Sequence, residues 1–203
     1  MNKRAFLRAA AGAAALPLVA RAAAAQAAAA NVGPVVLTVS GGITHSNRGP
    51  LDPALDQLMH KQGLVFARAR TFTFAELAAL PAVEIRPTLE YDARPHALRG
   101  PAFDRVLEAA GAPVADDAPL VLAAFDGYRV ELKRADAREL GFIVATHIDG
   151  VPLSLGGLGP LWAVFDADRI PALAAKPLNE RFAACPWGLY SIHLPDSATP
   201  SVG

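Results

Sequence analysis

Residues 121–132 read VLAAFDGYRVEL, and residues 143–165 read IVATHIDGVPLSLGGLGPLWAVF. In each stretch an Asp-Gly pair sits between apolar runs, the strongest short-range hairpin signal. The first predicts strands over 120–125 and 129–132 joined at Asp126-Gly127. The second predicts a strand over 143–148 entering a turn at Asp149-Gly150, then a tight Gly-rich loop over 156–160 and a strand over 161–165. Only a short helix over 135–140 fits between the two hairpins. Hairpins separated by short helices, without a long strand–helix–strand rhythm, make a mixed α+β domain rather than a doubly wound sheet.

The flanking segments follow the same plan. Phe103, Val106, Leu107 and Ala110 recur at helical spacing between Pro101 and Gly111, predicting an amphipathic helix over 101–110. Thr73 and Glu76 have the capping-box spacing, so a short helix is expected over 75–80, stopped by Pro81. Residues 83–91 alternate as a strand interrupted by Pro87. A strand over 35–39 opens the domain, a short helix is expected over 53–60, and a strand over 187–194 closes it.

Upstream lies a different kind of sequence. Met1 to Arg8 carries Lys3, Arg4 and Arg8 with no acid, an apolar run spans 9–19, and alanines with A-x-A steps follow to Ala30. Those are the three parts of a removable secretory signal over residues 1–30, and the apolar run is too short to span a bilayer. Lys3-Arg4-x-Phe6-Leu7-Arg8 is similar to a twin-arginine export signal with Lys in the first Arg position. The protein is therefore expected in the periplasm, as one domain over 31–195 with a disordered tail over 196–203.

Loss of the leader leaves 173 of 203 residues, with 15 Lys and Arg against 19 Asp and Glu, a net charge of −4. An acidic balance gives no footprint for nucleic acid, and no later run is long enough for a membrane span. Cys185, the one cysteine, cannot form a disulfide within the chain and reads as a small buried hydrophobe. There is no Gly-x-Ser-x-Gly, His-Glu-x-x-His or Cys-x-x-Cys, and the five histidines lie far apart.

In order, TFTFAELAALPAVEIRPTLEY (71–91), LRGPAFDRVLEAAGA (98–112), the two hairpin stretches and CPWGLYSIHL (185–194) cover most of the mature chain. This succession resembles the oxidoreductase molybdopterin-binding domain of the sulfite oxidase family. The resemblance implies a mixed, barrel-like β-sheet domain with short helices and a molybdopterin cofactor. It also implies a cysteine thiolate on molybdenum in the region before the helix, a soft ligand for that metal. Residues 84–99 contain no cysteine. The sequence thus resembles a small exported member in which molybdenum–thiolate chemistry is lost.

Arg94, His96 and Arg99 cluster just before the expected helix, and guanidinium forks suit a phosphate or another small anion. A solvated basic loop would carry the same residues. The resemblance places the Asp126-Gly127-Tyr128 turn near the cofactor, making Asp126 and Tyr128 candidates; an ordinary type I′ hairpin needs the same dipeptide. His147 is either a ligand or a core histidine. Three functions follow. One is a degenerate member binding a pterin or other small anion. A second is an active molybdenum oxidoreductase whose metal is held only by the pterin, and a third is a periplasmic interaction module.

Overall fold

The computed structural model describes residues 33–113 and 115–195. The leader and the tail read above lie outside the described residues. The strands are β1 (Val35–Gly41), β2 (Ala69–Thr73), β3 (Ala82–Ile85), β4 (Leu98–Pro101), β5 (Pro119–Ala124), β6 (Arg129–Lys133), β7 (Ile143–Ala145), β8 (His147–Ile148), β9 (Val151–Pro152), β10 (Trp162–Val164) and β11 (Leu189–Leu194). The helices are short: α1 (Gln57–Lys61), α2 (Phe74–Ala79), α3 (Phe103–Ala109), α4 (Arg134–Glu139) and α5 (Pro171–Ala174).

The main sheet has the order β2-β1-β11-β5-β6. Among the described residues its only parallel pair joins β1 to β11, the first and last of these strands, with Thr38 opposite Ser191. A parallel pair needs a long crossover, and the whole intervening chain supplies it. β1 is buried on both faces from Leu37 onward, whereas β6 alternates exposed and half-buried residues as an edge strand does. A second, antiparallel sheet runs β3-β4-β8-β9, and β10 pairs with β7. Thr146 separates β7 from β8; its backbone N–H and its hydroxyl both donate to the Arg99 carbonyl, and the chain passes there from one sheet to the next.

The mixed α+β class holds. The barrel-like form does not, because among the described residues the strands make three open sheets and none closes on itself. The core fills the space between them, centred on Trp162, Phe72, Phe103, Phe165, Leu107 and Leu122.

Local sequence accounts for several elements. Thr73 accepts from the Glu76 N–H at 3.2 Å while Glu76 accepts from the Thr73 N–H at 2.7 Å, completing the capping box of α2. Phe103, Val106, Leu107 and Ala110 form the buried stripe of α3. Asp104, on its other side, holds Arg134 at 2.9 Å and Arg138 at 2.8 Å from α4.

Three expectations need correction. The α3 helix begins at Phe103 rather than Pro101, because Leu98–Pro101 is the strand β4, paired with β3 and β8. A Cβ on Gly100 would lie 1.9 Å from the Val144 carbonyl oxygen, so β4 lies against β7 at a distance only glycine permits. β3 ends at Ile85, and beyond Pro87 the chain reverses instead of continuing to Tyr91. α1 starts at Gln57, after a turn in which Asp52 accepts from the N–H groups of Ala54 and Leu55.

Candidate functional site

The reversal after β3 is built from its own residues. The Leu89 N–H donates to the Arg94 carbonyl and the His96 N–H to the Pro87 carbonyl, while Ala93 takes a left-handed φ of 56°. Leu89 is buried and anchors the loop. The Thr88 N–H donates to Asp168 at 2.7 Å, and Asp168 in turn pairs with Arg181 at 2.8 Å.

This loop takes the three basic candidates to different places. His96 lies between two carboxylates, with Nδ1 2.6 Å from Asp149 and Nε2 3.0 Å from Asp92. Hydrogen bonds to Asp149 and Asp92 raise its pKa above the ordinary value, so its charge is already met by two acids. Arg94 is exposed at the turn. Arg99 stands on β4 opposite His147 on β8. The helix end behind them offers no anion site either: α3 has seven residues, and Asp104 occupies its first turn.

His147 sits half-buried where β7 gives way to β8. Its ring lies 5.5 Å from that of Phe74, and Nδ1 is 2.8 Å from the Thr146 hydroxyl. Burial first, and then the Arg99 charge, lower its pKa. Those contacts fit a packed histidine. Among the described residues no group of three or more His, Cys, Asp or Glu could hold a metal ion.

Asp126 and Tyr128 do come together, on one wall of a cleft of about 250 Å³. Glu90 and Tyr91 from the reversed loop complete the lining together with Asn179, Phe182, Ala183, Cys185, Pro186 and Trp187. The Asp126-Gly127 turn is not type I′, since only Gly127 has a positive φ (96°). Asp126 Oδ1 accepts from the Tyr128 N–H at 2.9 Å, and the Tyr128 hydroxyl donates to the Ala183 carbonyl at 2.6 Å. Behind the turn, the Phe125 N–H donates to the Gly188 carbonyl, and the Phe125 ring meets Trp187 edge-on at 6.2 Å. Gly188 has a φ of 65°, and a Cβ there would lie 2.3 Å from the Phe125 ring. The Trp162 indole donates to the Cys185 carbonyl at 2.9 Å and pins that segment to the core.

Two acids and four aromatic rings line this cleft and, among the described residues, no Lys, Arg or His does. Neither Glu90 nor Asp126 has an ion-pair partner among the described residues. Burial, then the neighbouring Glu90 charge, push the Tyr91 phenol up to about 12. Cys185 touches the cleft, but it is 4% exposed and burial raises its thiol pKa well above the usual range. Such a thiol is a poor metal ligand, because the ligating form is the thiolate.

Glu90, Tyr91, Phe182 and Trp187 were not singled out in the sequence. Glu90 and Tyr91 read there as the end of a strand, and Trp187 as the start of the closing strand. Within residues 83–91, Pro87 is the one residue that disfavours a continuous strand. No protein-family model matches the chain, and comparison with curated proteins finds no match.

Proposed function

We propose that this chain is an exported small-molecule-binding protein. Its fold is like that of the oxidoreductase molybdopterin-binding domain, and it works without molybdenum–thiolate redox chemistry. The observation that carries this reading is the lining of the cleft. Glu90 and Tyr91 come from the stretch where the resemblance implies a metal thiolate, and they meet the Asp126–Tyr128 turn that the resemblance implies lies near the cofactor.

The residues there do not fit a molybdopterin. Its phosphate would meet two carboxylates and, among the described residues, no cation, and its metal would meet a phenol and a buried thiol rather than an accessible thiolate. The small anion expected from Arg94, His96 and Arg99 lacks support as well, because His96 is committed to Asp92 and Asp149. The lining favours a neutral or cationic ligand. An interaction module has separate support from Leu55, Leu58 and Val65, large apolar side chains exposed on and beside α1.

Tryptophan fluorescence tests the proposal. Trp187 is half-buried at the cleft while Trp162 is fully buried in the core. A ligand from host extract should change the emission of the parent protein and not that of Trp187→Phe. A response that persists unchanged in Trp187→Phe would place binding elsewhere. No response to any extract fraction would favour the interaction module.

A further inference from the structure

We propose that the cleft recognises a small organic cation of the methylated or quaternary ammonium class, an inference that rests on the cleft being the ligand site. Four aromatic side chains, Tyr91, Tyr128, Phe182 and Trp187, line it together with Glu90 and Asp126. Aromatic faces attract weakly hydrated cations through the ring quadrupole, and aromatic cages are the usual protein solution for quaternary ammonium groups. Most of these walls are fixed beforehand. Tyr128 is held through its hydroxyl by the Ala183 carbonyl, and Trp187 is backed by Phe125. Phe182 packs against Trp162 and Phe165 at ring distances of 6.1 and 6.4 Å. A cage that is already ordered loses little freedom on binding.

The carboxylates set the sign of the charge. Asp126 spends one oxygen on its own turn, and neither it nor Glu90 has a cationic side chain to neutralise it among the described residues. An anion entering here would be repelled by both. A cation with N–H groups could also hydrogen-bond to them, but a methylated ammonium uses the rings and the field at once. The volume of about 250 Å³ is below the roughly 300–1,000 Å³ of drug-sized pockets, which suits a single head group.

Calorimetric titration of the full-length exported protein with choline, its neutral isostere 3,3-dimethylbutan-1-ol, a pterin and inorganic phosphate tests this. Choline should bind at least tenfold more tightly than the isostere, and phosphate should not bind. Trp187→Leu should weaken choline at least tenfold, whereas Trp187→Phe should stay within a few-fold of the parent. Glu90→Gln and Asp126→Asn should each weaken it several-fold, more at low salt, where the Coulomb share is least screened. Thermal melts matching the parent would show that these two variants are folded. Equal binding of choline and isostere, still dependent on Trp187, would overturn the cation and leave the cleft as a ligand site. Preferential binding of phosphate or pterin would overturn the cation in favour of the anionic ligand. No binding of any probe would overturn the cation, and if host extract also leaves Trp187 emission unchanged, the ligand-binding function falls with it.

Discussion

Asp149-Gly150 and Asp126-Gly127 are the same dipeptide at the tips of two hairpins, and they are held in different ways. At Asp149-Gly150 both residues take positive φ, 48° and 84°, the signature of a type I′ turn closing Ile148 on Val151. The Asp149 carboxylate then reaches back to the His96 ring and the Ala97 N–H, clasping the hairpin to the neighbouring strand connection. At Asp126-Gly127 only the glycine is left-handed, and the aspartate spends one oxygen on its own turn. That turn is fastened from behind, by Phe125 against Trp187 and Gly188, which leaves its acidic edge open over the cleft. A hairpin tip whose carboxylate is consumed by structure cannot also serve a ligand; one fastened by packing can.

The contrast can be broken most forcefully at the glycines. Gly188→Ala drives a methyl toward the Phe125 ring in a left-handed backbone and should cost about 2–4 kcal/mol in urea unfolding. Gly150→Ala meets open space and carries only the backbone strain, about 1–2 kcal/mol. Equal costs would mean that packing does not fasten the cleft turn. Asp126→Ala removes one exposed hydrogen bond and should cost about 0.5–1 kcal/mol by the same unfolding measurement.

The clasp has the smallest expected effect, and it depends on pH. His96 is raised from 6.5, so its share of stability is present below that value and lost as pH rises through the folded pKa. Asp149 and Asp92 are lowered from 3.8, chiefly by bonds to His96, so their share is present above 3.8 and lost as pH falls through their folded values. Arg86 and Arg94 also lower the two acids. The melting-temperature gap between parent and His96→Ala should therefore be widest between pH 3.8 and 6.5 and narrow on either side. A gap independent of pH would show that His96 acts by packing instead.

Local chemistry made much of the fold legible. The Thr73–Glu76 box, the stripe of α3 and both Asp-Gly tips are short-range patterns, and each appears where its residues indicated. β4 is hidden because Gly100 and Pro101 look like the start of a helix, whereas their pairing with Val83 and Ala82 of β3 makes them a strand and Gly100 alone permits the close approach of Val144. Arg94, His96 and Arg99 look like one cluster because they are neighbours in sequence, but Arg94 is exposed at the turn, His96 is bonded to Asp92 and Asp149, and Arg99 stands on β4 opposite His147. Asp126 and Tyr128 are candidates from the sequence that line the cleft, and Glu90, Tyr91 and Trp187 line it without a local pattern that marks them. The cleft gathers segments separated by dozens of residues, and no periodicity records that meeting.

The most direct test of a non-redox binding protein is the molybdenum and pterin content of the chain isolated from its own host. Such a protein should carry well under one molybdenum per chain and show no sulfite- or sulfoxide-dependent electron transfer. Stoichiometric molybdenum with turnover would contradict it and restore a metal held by the pterin alone.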